Sequence, residues 1–401
     1  MRKTATTLSG TGRLSGVVLH MDQTADFIVI GAGIAGVSVA AELAARARVV
    51  LLEMESQPSC HATGRSAAMF APTYGPPAIR ALTRASGAFF QTPPAGFCEV
   101  PLLSRRNVLM IARADQMATF QTALADVSAE TSLATLDARD LLNANPLLRE
   151  GYAQAGYLDS ASSDIDVASL VQGFLRTFRG AGGVLVRKAQ VCALERSSGI
   201  WRATSAAGTF HAPVIINAAG AWADAVGSLA RAGHIGLTPR RRTALTVAAP
   251  GGIGVDRLPL TVDIDECFYL KPDAGRLLIS PADETPSPPC DAQAEEIDVA
   301  ICIDRIETAF ELRIRHVASK WAGLRSFVAD KVPVVGFSPY AEGFFWLAGQ
   351  GGYGIQTAPA LSRLAAALAL GEAVPADLIA AGFDPATVRP ERLSAERLRD
   401  A

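Results

Sequence analysis

A short apolar run, a glycine-rich turn, a helical segment and a second apolar run follow one another in residues 27–53, FIVIGAGIAGVSVAAELAARARVVLLE, and this pattern constrains the fold most. Its glycines have G-x-G-x-x-G spacing, at Gly31, Gly33 and Gly36. The first glycine permits a tight turn, the second lets the backbone approach a pyrophosphate, and the third lets helix and strand pack closely. The pattern predicts a Rossmann-like α/β domain that binds a dinucleotide.

The acid that ends the second run, Glu53, narrows the choice of dinucleotide. A carboxylate about 20 residues after the glycines can accept hydrogen bonds from an adenosine ribose. It would repel a ribose phosphate, which disfavours NADP and leaves FAD and NAD.

Two further segments repeat the step from apolar strand to small residues: APVIINAAGAWA at 212–223 and FFWLAGQGGYGIQ at 344–356. Three such junctions predict one nucleotide domain built from three pieces of chain. The last junction leads into an alanine-rich helix. A helix N-terminus aimed at a flavin stabilises the negative charge that develops when N5 accepts a hydride, which favours FAD over NAD.

Composition limits the classes of function. The 401 residues fit two domains or one interrupted by another, and 49% hydrophobic residues with a net charge of -2 argue against a disordered or nucleic-acid-binding chain. No apolar run is long enough for a bilayer span. The six cysteines are scattered without a C-x-x-C pair, which predicts no zinc or other metal site, no disulfides, and a reducing, cytoplasmic location. Residues 1–20 are predicted to be a disordered extension, or to precede a true start at Met21.

Several longer motifs carry a family resemblance. GAGIAG with Glu53, HATGRSAA, NAAGAWADA, FYLKPDAG, WAGLRSFVAD and QGGYGIQT together resemble the D-amino-acid oxidase superfamily of flavoenzymes, and more closely the bacterial FAD-dependent D-arginine dehydrogenases. The resemblance extends from about residue 24 to about residue 395. It implies oxidation of a D-amino acid to an imino acid, which water hydrolyses to a 2-oxo acid and ammonia. Electrons would pass to a quinone or carrier, at the periphery of the inner membrane.

The resemblance also implies the architecture: a Rossmann-like FAD-binding domain of the D-amino-acid oxidase type, with an inserted α+β substrate domain built on a mixed sheet. The FAD-binding domain would comprise residues 24–75, 160–235 and 320–395. The substrate-binding domain would comprise residues 76–159 and 236–319.

The cofactor residues follow from the same motifs. FAD is expected to be held without a covalent bond, although some relatives attach flavin through a histidine near His61. Thr63, Gly64, Arg65 and Ser66 would offer donors to the pyrophosphate, since Arg65 suits a dianionic linker. The full expected set is Gly31, Gly33, Ala35, Gly36, Glu53, Met54, Ala62, Thr63, Gly64, Arg65, Ser66, Ala67, Val191, Ala219, Gly220, Trp222, Gly323, Gly351, Gly352, Tyr353, Gly354 and Ile355.

The substrate residues implied by the resemblance would hold an amino acid by its carboxylate, α-amine and side chain. Arg325 can bind a carboxylate bidentately and so fix the α carbon against flavin N5. The residues expected to assist it at the carboxylate are Arg242, Tyr269 and Tyr74, and those expected near the amine are Gln356 and the carbonyl of Gly352.

The side-chain pocket departs from the D-arginine dehydrogenases. Their guanidinium is held by a histidine, a threonine and a glutamate, at positions that align here with Met69, Ala71 and Val108. Without the glutamate, a desolvated guanidinium would forfeit about 3–5 kcal/mol. The sequence therefore predicts a neutral or apolar substrate side chain. An alignment shifted by one residue would instead place Asn107 or Arg106 in the pocket, and Arg106 would favour an acidic D-amino acid.

Other functions stay open at this point. The motifs also fit an oxygen-using oxidase of glycine, sarcosine or D-amino acids, because oxygen reactivity depends on access and charge at the flavin face. A flavin-binding subunit without turnover and an NAD-linked dehydrogenase are the remaining alternatives.

Overall fold

The computed structural model describes residues 21–129 and 133–393, so the predicted extension at 1–20 lies outside the described residues. The α-helices in this part of the chain are α1 (Ile34–Ala44), α2 (Pro77–Gln91), α3 (Met117–Ser128), α4 (Ala138–Ala144), α5 (Val167–Gly180), α6 (Ala223–Leu229), α7 (Glu296–Ala309), α8 (Gly354–Ala369) and α9 (Ala376–Ala380).

The strands in chain order are β1 (Met21–Thr24), β2 (Phe27–Ile30), β3 (Val49–Leu52), β4 (Met69–Phe70), β5 (Leu103–Arg105), β6 (Val108–Ala112), β7 (Ala134–Asp137), β8 (Ala155–Asp159), β9 (Ser163–Ile165), β10 (Val184–Val186), β11 (Val191–Ser197), β12 (Ile200–Ser205), β13 (Gly208–Ala212), β14 (Val214–Asn217), β15 (Thr238–Ala248), β16 (Leu260–Asp263), β17 (Tyr269–Asp273), β18 (Arg276–Ser280), β19 (Thr285–Pro286), β20 (Val317–Phe327), β21 (Val334–Phe337) and β22 (Phe344–Ala348).

A six-stranded sheet in the order β10-β3-β2-β14-β22-β21 brings the glycine junctions together. Its first five strands are parallel. Ile30 pairs with Asn217, which pairs with Trp346, so the carboxyl ends of β2, β14 and β22 meet at one edge. In parallel α/β sheets, this edge is where ligands bind.

Both faces of this sheet are covered, which explains why its strands are continuously apolar. Helices α1, α5 and α8 pack together in the apolar core on one face. The four-stranded sheet β1-β13-β12-β11 contributes to the core on the other face. α5 begins at its N-cap Asp166, whose carboxylate accepts a hydrogen bond from the Ser169 amide at 2.9 Å.

A second, nine-stranded sheet in the order β19-β15-β18-β17-β16-β6-β8-β7, with β20 paired to β15, forms the other half of the molecule. Strands β16 and β6 are parallel and the other pairs antiparallel, so the sheet is mixed, as expected. Together with the Rossmann-like sheet, this confirms the predicted fold class. α7 packs over the sheet through buried residues such as Ile306.

At two places, the sheet or core to which a segment belongs differs from the domain bounds predicted from sequence. The ladder of β20 with β15 continues from Val317 to Phe327, so residue 320 lies inside a strand of the substrate sheet. Helix α2, placed in the substrate domain by sequence, packs against α8 and buries Leu82 and Phe90 in the same core. A third small sheet, β4-β9-β5, lies at this passage.

Candidate functional site

A cleft of about 440 Å³ opens at the edge where β2, β14 and β22 end, and it continues to the substrate sheet. All three glycine junctions contribute to its wall, as do Arg242, Tyr269 and Arg325. The predicted cofactor residues that line it are Gly31, Gly33, Ala35, Glu53, Met54, Ala62, Thr63, Arg65, Ser66, Ala67, Val191, Ala219, Gly220, Trp222, Gly323, Gly351, Gly352, Gly354 and Ile355.

Three predicted cofactor residues lie behind this wall. A Cβ on Gly36 would come within 1.7 Å of the Gly31 carbonyl oxygen, and one on Gly64 within 2.4 Å of the Ser59 oxygen, so both glycines serve close backbone packing. Tyr353 is the N-cap of α8. Residues that sequence reasoning missed also line the cleft, including Ser59, Cys60, Gln190, Cys192 and Gln350.

The acidic end of β3 is shaped to accept further hydrogen bonds. Glu53 is buried, and its two carboxylate oxygens accept the amide N–H groups of Ala32 at 2.7 Å and Glu55 at 2.9 Å. A carboxylate has about four acceptor positions, so Glu53 retains capacity for ribose hydroxyls. At the adjoining helix start, the Thr63 hydroxyl accepts the amide of Ile34 at 2.9 Å.

Arg65 lines the cleft, and its guanidinium is also held by groups of the protein itself. Its guanidinium donates to the carbonyl oxygens of Ala292 at 2.8 Å and Ala322 at 2.9 Å, and also to the carboxylate of Asp291. The Arg65 side chain thus connects the loop from Ala62 to Met69 with the segment before α7 and with β20. Asp291 pairs with its charge, and a contact of Arg65 with a pyrophosphate stays a prediction.

The loop from Ala62 to Met69 is further held by a lysine that the sequence did not reveal as important. Buried Lys271 donates to the Ala67 carbonyl at 3.0 Å and to the Asp164 carboxylate at 2.6 Å. Arg106 donates to the other oxygen of Asp164 at 2.8 Å. Ala68 has φ of 25°, a strained value for a residue other than glycine. This ion-pair network holds the loop in that conformation, and it also shows that Arg106 is committed away from the side-chain pocket.

His61 lies in the cleft wall with its ring constrained on two sides. Its Nε2 is 3.0 Å from a Glu55 carboxylate oxygen, and its ring centroid is 4.8 Å from that of Trp222. Its buried Nδ1 has no hydrogen-bond partner among the described residues.

The two predicted carboxylate-binding arginines lie on one face of the β15–β20 ladder. Arg242 pairs with Gly323, and Arg325 pairs with Arg240, so the side chains of Arg242 and Arg325 project to the same side. Arg242 donates to the Asp283 carbonyl at 2.8 Å and the Glu284 carboxylate at 3.2 Å.

Of these two arginines, Arg325 is the one whose guanidinium has no acceptor among the described residues. No described residue forms a hydrogen bond or ion pair with its guanidinium, which borders the cleft. Gly352 packs against it so closely that a Cβ there would lie 3.0 Å from a guanidinium nitrogen. Burial, and next the charge of Arg325, lower the pKa of Arg242. The cleft therefore presents two neighbouring cations that an anion would stabilise.

Three tyrosines lie beside these arginines. Tyr269 is buried on β17 and lines the cleft. Tyr74 lies just outside the lining with its ring centroid 5.4 Å from that of Tyr353. Burial raises the pKa of Tyr74 well above its usual value and that of Tyr353 to about 12. Each can therefore donate a hydrogen bond to an anion.

Gln356 connects the first turn of α8 to the substrate pocket. The side chain is buried, and its Oε1 accepts the Ala71 amide at 3.1 Å. Its Nε2 has no partner among the described residues, which leaves a buried donor next to the pocket wall.

The three predicted side-chain positions belong to one apolar cluster. Ala71 and Val108 are buried in it, and Met69 packs against it together with Tyr74 and Trp321. None of the three lines the open cleft itself, so the cluster forms a region adjacent to it. Asp159 pairs with Val108 across β6 and β8, but its carboxylate already accepts from Thr73, Ala161 and Ser162.

A carboxylate that sequence reasoning overlooked lies near these groups. Glu266, in the turn between β16 and β17, has a left-handed φ of 54°. Its charge contributes to raising the pKa values of Tyr74 and Tyr353, and its side chain forms no hydrogen bond or ion pair with a described residue. No sequence signal indicated it, because its position depends on that backbone conformation.

Within residues 21–129 and 133–393, no group of three or more His, Cys, Asp or Glu side chains is arranged to hold a metal ion. All six cysteines are free thiols. No helix in this part of the chain is both long and apolar enough to cross a bilayer.

Comparisons with known proteins agree with this geometry. Residues 26–368 match the family model described as DAO, FAD dependent oxidoreductase. Glycine oxidase from Bacillus licheniformis is 26% identical over 372 residues, which are 89% of this chain and 96% of that protein. The crystal structure of glycine oxidase from Geobacillus kaustophilus has a TM-score of 0.77 at 22% identity, covering 93% of this chain and 99% of that one.

L-proline dehydrogenase from P. horikoshii has the same fold, with a TM-score of 0.77 at 18% identity over 94% of this chain and 100% of that one. The glycine-lined cleft, the remaining acceptor capacity of Glu53 and the start of α8 fit FAD, which is the family's cofactor. The chain belongs to the DAO family of FAD-dependent oxidoreductases.

Proposed function

We propose that this enzyme catalyses the FAD-dependent oxidative deamination of D-amino acids with neutral or apolar side chains, as a dehydrogenase related to the D-arginine dehydrogenases. The observation that carries the proposal is the guanidinium of Arg325, which borders the cofactor cleft without an acceptor of its own. A desolvated guanidinium is costly unless an anion pairs with it, and an amino acid supplies a carboxylate.

The carboxylate would be bound by a bidentate contact from Arg325, with Arg242 contributing a second positive charge. Tyr269 and Tyr74 can donate hydroxyl hydrogen bonds, because burial and neighbouring charges keep the Tyr74 phenol protonated. Because binding the carboxylate also fixes the position of the substrate α carbon, the protein's main contribution to the reaction would be to orient the substrate, and not to transfer protons.

The amine would lie near Gln356 and the Gly352 carbonyl. The Gly352 carbonyl can accept a hydrogen bond from a neutral amine, and Gln356 Oε1, which already accepts the Ala71 amide, retains one further acceptor position. FAD, when bound, would supply the acceptor for the hydride of the α C–H bond. The lone pair of the neutral amine would then form the C=N bond of the imino acid. The imino acid then adds water and releases ammonia, giving a 2-oxo acid. No side-chain nucleophile is needed for this sequence.

The apolar cluster around Met69, Ala71 and Val108 supports a side chain without charge. Because Arg106 is bound to Asp164, the alternative of an acidic D-amino acid receives no support from that residue. The free thiols suit a reducing, cytoplasmic location, from which the enzyme would pass electrons to a quinone or carrier protein.

A second candidate function is an oxygen-using amine oxidase. It is favoured by the similarity over almost the full chain to a protein named glycine oxidase. Such an enzyme would carry the same carboxylate clamp but would react with oxygen at the flavin face.

Anaerobic bleaching of the yellow protein separates these candidates. Apolar D-amino acids are expected to reduce the flavin rapidly. D-Arginine is expected to react at least about a hundredfold more slowly, since discrimination of this size follows from a missing charge partner. L-amino acids are also expected to react slowly, because fixing the carboxylate and the amine turns their α C–H bond away from the hydride acceptor. Slow re-oxidation in air would indicate a dehydrogenase, and fast re-oxidation with peroxide an oxidase. Bleaching by glycine or N-methyl amino acids alone would contradict the D-amino-acid proposal.

The flavin is expected to leave the protein completely on acid precipitation. This result follows from the expected non-covalent binding of FAD. The Nε2 of His61 is engaged by Glu55 and the ring is confined by Trp222, so the unpartnered Nδ1 is the ring atom through which a covalent link would have to form. Absorbance at 450 nm would be compared between supernatant and pellet. Yellow colour retained in the wild-type pellet but lost from that of His61→Ala would show a covalent link at this histidine.

A further inference from the structure

A second cleft, far from the cofactor, carries only positive charge in its wall. It has a volume of about 630 Å³ and is formed by the ends of β15 and β18 together with the chain before β20. Three arginines, Arg276, Arg313 and Arg315, surround it together with His316. No aspartate or glutamate belongs to its lining. We refer to it as the basic cleft.

These cations are not neutralised within the described chain. None of the four side chains forms a hydrogen bond or an ion pair with any described residue. Of the nearby acids, Glu311 pairs with Arg149 at 2.8 Å and Glu307 accepts the Ile314 amide at 2.6 Å. Asp273 lies opposite Arg276 in the β17–β18 ladder but forms no ion pair with it. In a chain with a net charge of -2, this is a local concentration of unmatched positive charge.

The basic cleft is separate from the proposed catalytic site. Val247, in its wall, is five residues along β15 from Arg242. At about 3.4 Å per residue, the two are roughly 17 Å apart. A ligand in the basic cleft would therefore not occupy the cofactor cleft.

We propose that the basic cleft binds a small molecule carrying two or more anionic groups, such as phosphates or carboxylates. Guanidinium groups bind both oxyanions bidentately, and the partly buried Leu312 and Ile314 offer apolar contact for a carbon framework. Concavity argues for a small ligand instead of a flat membrane surface, because the volume lies within the range of small-molecule sites. This inference does not depend on the identity of the amino-acid substrate.

Isothermal titration calorimetry of the FAD-loaded enzyme with pyrophosphate and with citrate tests the proposal. At least one of these probes is expected to bind with one-to-one stoichiometry, more weakly as salt is added. The double variant Arg313→Gln/Arg315→Gln is expected to weaken binding at least about tenfold, as for the loss of bidentate ion pairs. Flavin content and Tm would confirm that it is folded, and Arg276→Gln would provide an independent second variant.

The matched control removes the same charge elsewhere. Arg139 and Arg179 are exposed and, like the cleft arginines, have no side-chain partner among the described residues. Arg139→Gln/Arg179→Gln should bind the probes as the wild type does. The proposal is overturned if neither probe binds the wild type at low salt, if the cleft variants bind undiminished, or if the control loses as much affinity as they do.

Discussion

Replacing Arg325 with alanine is expected to raise KM for the preferred D-amino acid by roughly two to three orders of magnitude, corresponding to about 3–4 kcal/mol for a lost bidentate ion pair. The guanidinium borders the cleft and has no acceptor among the described residues, so its removal breaks no internal ion pair. The flavin content should therefore match the wild type. Steady-state kinetics and the absorbance ratio at 280 and 450 nm measure both quantities.

A matched control comes from the opposite strand. Arg240 pairs directly with Arg325 in the β15–β20 ladder but lies outside the cleft lining and donates to the Glu284 carbonyl. Arg240→Ala should leave KM within a few fold of the wild type. If Arg325→Ala were to keep the wild-type KM, or if both variants raised it equally, the role of Arg325 in binding the substrate carboxylate would be refuted.

The nucleotide domain could be anticipated because its signals are local. At each junction, the small residues that follow the apolar strand specify the turn locally. Parallel pairing makes β2, β14 and β22 neighbours in the sheet. Gly36 illustrates the link between sequence and packing, since any Cβ there would collide with the Gly31 carbonyl. A strand that must be covered on both faces also has a recognisable apolar sequence.

The parts that sequence reasoning missed depend on contacts between distant residues. The sequence around Arg65 fits a pyrophosphate ligand, and only the structure shows that Asp291, 226 residues later, lies beside it. Lys271 reads as an ordinary strand residue, and only the fold shows that it holds the Ala67 carbonyl. The predicted domain boundary near residue 320 falls inside β20 for a related reason, because the length of β20 is set by its partner β15.

Substituting glutamate for Val108 is expected to increase kcat/KM for D-arginine by at least about tenfold and to decrease it for apolar D-amino acids. Val108 is buried in the apolar cluster that also contains Ala71 and contacts Met69. A carboxylate at this position would restore the charge partner whose absence costs a desolvated guanidinium about 3–5 kcal/mol. Only part of that binding energy is expected to be recovered, because the new carboxylate would lie opposite the carboxylate of Asp159 and be repelled by it. Steady-state kinetics with D-arginine, D-leucine and D-methionine would measure the change.

The uncharged variant Val108→Gln distinguishes charge from shape. It has nearly the volume of glutamate and can form hydrogen bonds, but it provides no ion pair, so it should gain little activity on D-arginine. Tm would report the cost of placing a polar group at a site that is 6% exposed. A folded, FAD-loaded Val108→Glu enzyme no faster on D-arginine than Val108→Gln would show that position 108 does not face the substrate side chain. In that event Glu266, the carboxylate near Tyr74 without a partner of its own, becomes the residue to test for recognition of a cationic side chain.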